Sequence, residues 1–154
     1  LYGSPYSVDA SASFVGLRGW HQRGHLLRAI MEGVVFNHRH HVDALRDGFD
    51  VTDIRLAGGA VNSRRWVQMF ADTLAAPVSV SGAREASALG SAILAGIAVG
   101  AYSDLTDAAR ATVTEPAVCE PNSSGVTRYE EGYRRYQRVV EAMMNVWAEP
   151  ADVR

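Results

Sequence analysis

The sequence predicts an α/β fold that is rich in helix. Two short apolar runs, residues 51–56 and 78–80, are each followed by a segment whose apolar side chains recur at helical spacing. Two consecutive glycines, Gly58 and Gly59, separate the first run from its helix, as is typical of a strand-to-helix turn. Strands that alternate with helices indicate the α/β class, and we expect residues 1–154 to form a single domain because no internal repeat or long linker divides them.

A long first helix is predicted over residues 21–47. Its apolar side chains recur every three or four residues, at Leu27, Ile30, Met31, Val34, Val42 and Leu45. Gly48 follows as an ordinary helix stop. We therefore interpret residues 47–50, which lack a hydroxyl side chain, as a helix end and not as a phosphate loop.

The central part of the chain predicts a strand, a glycine turn and a second helix. Ile54 and Leu56 alternate with polar neighbours in the strand at 51–56. A helix is expected over residues 63–74, capped by Asn62 or Ser63, with its apolar side formed by Trp66, Met69, Phe70 and Thr73. A second short strand is expected at residues 78–80.

Three further elements are expected after the second strand. A helix of small residues covers about 85–100, and Asp104 can cap a short helix that runs through Ala109. Residues 115–125 hold two prolines and several turn formers, which predict a surface loop. The last helix, about 128–147, places one stripe on its buried side, formed by Tyr129, Tyr133, Tyr136, Val140, Met143 or Met144, and Trp147.

The glycine turn is the candidate binding site. Glycines let the backbone come close to a ligand, and the free amides at a helix start, together with the positive end of its dipole, suit an anion. Taken alone, the pattern is more typical of a plain strand-to-helix turn than of a binding site.

Several segments in this order carry a resemblance to a known family. They are FVGL at 14–17, RAIMEG at 28–33, GGAVNSRRWVQMFAD at 58–72, PVSVS at 77–81 and EASALGSAILAGIAVG at 85–100. The series, from about Phe14 to Trp147, resembles the C-terminal nucleotide-binding half of the FGGY carbohydrate kinases. One departure is Ala57, where many members carry a third glycine. The resemblance implies a partial actin-like ATPase, or ribonuclease H-like, domain: the C-terminal half of a two-domain carbohydrate kinase.

The resemblance also implies a reaction, namely transfer of the γ-phosphoryl group of ATP to a hydroxyl of a sugar or polyol, with a pentulose or sugar alcohol favoured. By residue-wise carry-over, the backbones of Gly58, Gly59 and Ala60 would lie along the α-phosphate and ribose, and Ser63 would approach the adenine. ATP and Mg²⁺ are the implied cofactors. The resemblance also implies that the catalytic aspartate and most of the sugar pocket belong to the N-terminal domain. We therefore expect no catalytic residue in this chain and no activity of this fragment alone. The N-terminal domain of the same protein is the expected partner.

Two alternatives stay open at this point. The same scaffold could be a non-catalytic module that binds a nucleotide or a partner, or a packing domain whose glycine turn binds nothing. A homo-oligomer is also left open.

The composition of the chain indicates which partners and which cellular compartment to expect. A formal charge of −2 makes nucleic acid an unexpected partner, and the single Cys119 excludes an internal disulfide. Residues 1–5 have no signal-peptide character, so cytoplasm is the expected location. Residues 86–103 carry no charge, but their small side chains favour a buried helix of a soluble protein over a membrane span.

The remaining polar candidates have structural interpretations. His38 with His41, and His21 with His25, lie about one helical turn apart, but a metal site needs three or four convergent ligands, so no metal is expected. Arg28 and Glu32 are expected to form a surface ion pair. Glu85, just before an apolar helix, is expected to stabilise that helix's dipole.

Overall fold

The computed structural model describes residues 10–82, 85–113 and 116–148. In chain order the elements are α1 (Arg23–Arg46), β1 (Arg55–Leu56), a 3-10 turn (Gly59–Asn62), α2 (Arg64–Leu74), β2 (Val78–Val80), α3 (Ala86–Ala98), α4 (Leu105–Thr112), β3 (Ala117–Cys119) and α5 (Ser123–Ala148). This order confirms the helix-rich α/β class. Residues 1–5, and Glu115 at the start of the predicted loop, lie outside the described residues.

A small mixed sheet has the strand order β1-β2-β3. β1 and β2 are parallel, with Arg55 opposite Ser79, and β2 and β3 are antiparallel, with Val78 opposite Cys119. The strand predicted at 51–56 is therefore too long, because β2 is only three residues long and offers partners to Arg55 and Leu56 alone. β2 itself has the predicted bounds.

The loop predicted at 115–125 is wrong in two places. Residues 117–119 form β3, because the open edge of β2 supplies their backbone partners although the local sequence is rich in turn formers. α5 begins at Ser123 and not near Arg128.

The described residues fall into two compact units. The first is drawn from Leu1–Val51, Asp72–Leu74 and Asn122–Arg154, and the second from Thr52–Ala71 and Ala75–Pro121. The expectation of one domain over residues 1–154 stays a prediction.

In the first unit, α1 packs on α5 through an aromatic cluster. The ring of Phe36 lies 6.3, 5.8 and 5.4 Å from those of Tyr129, Tyr133 and Tyr136. Gly132 allows this close approach, because a Cβ there would lie 3.0 Å from Phe36 Cζ. The α5 stripe is thus largely confirmed.

The apolar face predicted for α1 is only partly right. Val35 and Phe36 are its buried residues, and neither is in the predicted set. Leu27, Ile30 and Leu45 are about half exposed. Helical spacing identifies several apolar positions, but contact with α5 decides which of them are buried.

The carboxylate of Asp72, in α2, holds the start of α5. Asp72 is 5% exposed, and its Oδ1 accepts the Asn122 N–H at 2.8 Å. A carboxylate at a helix N-terminus satisfies an unpaired amide and interacts favourably with the helix dipole. This contact explains why α5 starts early, through Ser123, Ser124 and Gly125, which are weak helix formers.

Ion pairs bind α1 internally and to α5. Arg28 Nε lies 2.8 Å from Glu32 Oε1, which confirms the predicted pair, and Arg28 also donates to the Tyr129 hydroxyl at 3.3 Å. Arg39 donates to Glu130 Oε2 at 2.6 Å. The hydrogen bond from Arg39 lowers the pKa of Glu130.

In the second unit, α3 packs against α4 and the residues between them. The Tyr102 ring covers Gly96 so closely that a Cβ there would lie 2.7 Å from the ring. The expectation that α3 is buried is nevertheless wrong for the described residues, since none of its residues is buried and Leu94 is 61% exposed. Within the described residues, no helix is both long and apolar enough to cross a membrane.

Candidate functional site

The glycine turn lies where the two parallel strands end. The Ser79 and Ser81 amides donate to the carbonyls of Ile54 and Leu56 at 2.8 and 3.0 Å, so β1 and β2 end side by side. The turn follows β1, and Ser81 with Gly82 follows β2. Ligands of α/β sheets bind at the carboxyl ends of parallel strands. Sequence reasoning did not identify Ser81 and Gly82, because only the parallel register places them beside the turn.

Gly58 sets the direction of the turn. Its φ of 86° and ψ of −164° lie in a region that essentially only glycine adopts. The Gly58 carbonyl then accepts the Val61 N–H at 3.2 Å, which closes the 3-10 turn. Ala57 has no positive φ, so this geometry does not require a third glycine at that position.

The turn leaves backbone donors available. Within the described part of the chain, the amides of Gly58, Gly59 and Ala60 make no hydrogen bond. Both glycines are exposed, and no heavy atom lies within 4 Å of a Cβ built at either one. Three adjacent N–H groups without acceptors can therefore donate to an anion such as a phosphate.

The start of α2 adds positive potential to the turn. Ser63 is its N-cap, as predicted, and Ser63 Oγ accepts the Trp66 N–H at 3.4 Å. The first turn carries no acidic residue and contains the exposed Arg64 and Arg65. The helix dipole and these cations both favour a negatively charged ligand. The remaining hydrogen of the Ser63 hydroxyl can still donate.

Asp53 is engaged at the opposite end of β1. Its Oδ2 accepts from Arg55 Nε at 2.7 Å and its Oδ1 accepts from Ser79 Oγ at 3.4 Å. The Asp53 carboxylate therefore links β1 to β2. Its negative charge lies at the end of β1 that is away from the turn, where it is paired with Arg55.

Other candidate groups have local structural contacts. Glu85 is the N-cap residue of α3, but its side chain makes no capping hydrogen bond, so its dipole role stays a prediction. His38 Nδ1 lies 2.9 Å from the Val34 carbonyl oxygen. Among the residues that the structure describes, no three His, Cys, Asp or Glu side chains are grouped to hold a metal ion.

A shallow, mostly charged depression lies on α5. It is lined by Glu131, Arg134, Gln137, Arg138 and Glu141. It contains none of the predicted site residues, and Arg134 is already paired with Glu130 at 3.0 Å. All of its lining residues belong to one helix, and we assign no binding role to it.

The amino-acid sequence of this chain is similar to those of known proteins. Residues 3–99 match the family model described as the FGGY family of carbohydrate kinases, C-terminal domain. L-xylulose/3-keto-L-gulonate kinase of Escherichia coli (strain K12) is 33% identical over 149 residues, which are 96% of this chain and 30% of that protein. A glycerol kinase of Psychromonas ingrahamii is 33% identical over 153 residues, 97% of this chain and 30% of that protein.

Solved structures of carbohydrate kinases are also similar to this chain. The crystal structure of xylulose kinase from Rhodospirillum rubrum matches with a TM-score of 0.76 and 32% identity, over 91% of this chain and 29% of that one. Plasmodium falciparum glycerol kinase with ADP matches with a TM-score of 0.69 and 26% identity, over 89% and 28%. The chain thus spans about 30% of the length of these relatives.

Proposed function

The chain belongs to the FGGY family of carbohydrate kinases, and we propose that it is the ATP-binding portion of an ATP-dependent kinase that phosphorylates a sugar or polyol. Its fold is a part of the actin-like ATPase fold of this family. The observation that carries the proposal is the run of three amides, at Gly58, Gly59 and Ala60, that make no hydrogen bond within the described residues and that stand at the carboxyl end of parallel strands and at a helix start.

In this proposal the turn holds the nucleotide. The free amides donate to phosphate oxygens of ATP, and the dipole of α2 with Arg64 and Arg65 stabilises their charge. Ser63 contacts the adenine side of the nucleotide. Because phosphoryl transfer depends mainly on positioning and on stabilising charge, fixing ATP is a direct part of catalysis.

Magnesium is proposed to enter with ATP. The described residues contain no cluster of carboxylates suited to hold it. Mg²⁺ is commonly held by substrate phosphates and one or two carboxylates, so its protein ligands are proposed to lie in the rest of the enzyme. Bound Mg²⁺ would neutralise charge on the transferred group.

The sugar pocket and the catalytic base are also assigned to the rest of the enzyme, the N-terminal domain, which is the proposed partner of this chain. The chain alone is therefore proposed to be inactive, and the whole enzyme to be cytoplasmic. The proposed substrate is a pentulose or sugar alcohol, since relatives 33% identical to this chain include proteins named L-xylulose/3-keto-L-gulonate kinase and probable L-xylulose kinase.

A phosphorylation screen of the full-length protein tests this proposal. The protein is incubated with Mg·ATP and, separately, with ketopentoses, ketohexoses, glycerol and pentitols, and ADP release is measured. We expect the highest kcat/KM with a ketopentose or a pentitol. ATP binding without phosphorylation of any acceptor would instead favour a non-catalytic nucleotide-binding module, and no ATP binding by folded protein would overturn both.

A further inference from the structure

The first turn of α1 is capped by a histidine. His25 is the third residue of the helix, and its Nδ1 accepts the Gln22 N–H at 3.1 Å. In return, the His25 N–H donates to the Gln22 carbonyl at 2.9 Å. Glutamate or glutamine usually provides the acceptor at this position of a helix start. Here an imidazole, a group that exists in a neutral and a protonated form, takes that role.

Two further aromatic side chains surround this cap. Trp20 stacks on His21 with ring centroids 3.8 Å apart and planes 20° apart. The ring of His25 lies edge-on to both, at 5.7 Å from each centroid. We call Trp20, His21 and His25 the entry cluster.

We propose that the entry cluster is a pH-sensitive cap that holds the start of α1 when His25 is neutral and releases it when His25 is protonated. A backbone N–H can only donate, so the Nδ1 that receives the Gln22 N–H must carry a lone pair. An imidazolium has a hydrogen on both ring nitrogens and cannot accept this bond. Its positive charge also meets the positive end of the helix dipole, which disfavours it further.

His21 is not the switching group. Its Nδ1 accepts the Arg18 N–H at 2.9 Å but also lies 3.2 Å from the Arg18 carbonyl oxygen. A protonated His21 therefore has an acceptor on the same residue to which its new hydrogen can donate. No such acceptor contacts His25 Nδ1 in the described structure, so protonation of His25 alone loses the cap.

The nearest charged residues along the chain are cations, and from α5 the Arg135 guanidinium approaches the preceding segment, 3.4 Å from a Cβ built on Gly16. Arg18, Arg23 and Arg28 flank it along the chain, and Arg28 is engaged by Glu32 at 2.8 Å. No carboxylate contacts His21 or His25 within residues 10–82, 85–113 and 116–148. No described contact therefore offers an acceptor to a protonated His25 Nδ1, so the cap is present when His25 is neutral and lost when it is protonated.

The test compares His25→Gln with His41→Gln in the full-length protein. Glutamine at residue 25 retains an acceptor that does not titrate, whereas His41 is an exposed histidine of the same helix outside the cap. Amide exchange at Gln22 and in the first turn of α1 is followed by NMR from pH 8 to 5, corrected for intrinsic exchange rates. Loss of one capping bond predicts a fall in protection of about fivefold in the wild type and in His41→Gln, and no fall in His25→Gln.

Equal pH dependence in all three proteins would overturn the proposal. A second measurement holds even if a variant folds poorly: the imidazole ¹⁵N spectrum of the wild type at pH 8. We expect the tautomer of His25 with its hydrogen on Nε2, and a hydrogen on Nδ1 would contradict the cap directly. Neither result depends on the kinase function.

Discussion

Gly125→Ala tests the contact that starts α5. A Cβ built on Gly125 would lie 2.1 Å from Asp72 Oδ2 and 2.4 Å from Asp72 Cγ. Since non-bonded heavy atoms approach to about 3.5 Å, the carboxylate has to move by more than about 1 Å. It is 5% exposed and holds the Asn122 N–H at 2.8 Å, so it cannot move without losing that bond.

The expected cost follows from three contributions. Overpacking costs about 1 to 3 kcal/mol, and a weakened hydrogen bond to a charged group about 1.5 to 3 kcal/mol. Alanine regains about 1 kcal/mol of helix propensity over glycine. We therefore expect Gly125→Ala to lower the free energy of unfolding by about 1.5 to 5 kcal/mol, measured by urea denaturation followed by circular dichroism at 222 nm.

Gly33→Ala is the matched control. Gly33 lies inside α1, and no heavy atom lies within 4 Å of its built Cβ. We expect that variant to be stabilised by up to about 1 kcal/mol. Equal stability of Gly125→Ala and Gly33→Ala would refute the reasoning. The double variant Asp72→Ala, Gly125→Ala should lose less than the sum of the two single changes, because the clash is then removed.

Three further changes follow from local geometry. Ala75 ends α2 with a φ of 50°, so Ala75→Gly should raise the thermal midpoint by relieving about 1 kcal/mol, whereas Ala76→Gly, without positive φ, should not. Glu130→Gln should cost up to about 1 kcal/mol at pH 7. Because Arg39 lowers the pKa of Glu130, that stability is present above the ordinary glutamate range and lost as the pH falls through the lowered pKa. Denaturant titrations should therefore show a difference between wild type and Glu130→Gln that shrinks as the pH falls below the ordinary glutamate range, and a difference that stays constant would contradict the pair. Ser63→Ala should cost about 1 kcal/mol through loss of the α2 cap, and an unchanged urea midpoint would contradict that role.

Features with local causes were predictable from the sequence. Ser63 and Asp104 each cap the helix that follows them, and the Asp104 carboxylate accepts the Asp107 N–H at 2.8 Å. The end of α1 before Gly48 and the bounds of β2 depend likewise on adjacent residues. In these cases residues close in sequence supply the hydrogen-bond partners, so the local sequence pattern was sufficient to predict where each element begins or ends.

Features with distant causes were not predictable. β3 exists because β2 offers an edge almost 40 residues away, and α5 starts at Ser123 because Asp72 reaches its first turn. α3 has the composition of a buried helix, yet its exposure depends on which other elements are present to cover it.

The candidate site shows the same division. The glycine pair predicted the turn, and the structure adds that Gly58 alone needs the glycine-specific conformation. That Ser81 and Gly82 lie beside the turn depends on the parallel register of β1 and β2, which no local pattern specifies. The roles of Gly58, Gly59, Ala60 and Ser63 toward ATP stay predictions.

The affinity of the full-length protein for Mg·ATP after Gly59→Val tests the central claim most directly. A Cβ built at this exposed position meets no heavy atom within 4 Å, so the change is directed at a ligand of the turn. Gly48→Val, also exposed and open but outside the turn, is the control. We predict a dissociation constant at least about tenfold higher for Gly59→Val, equivalent to about 1.4 kcal/mol, and an unchanged value for Gly48→Val. Equal affinity of folded Gly59→Val and wild type would contradict nucleotide binding at this turn.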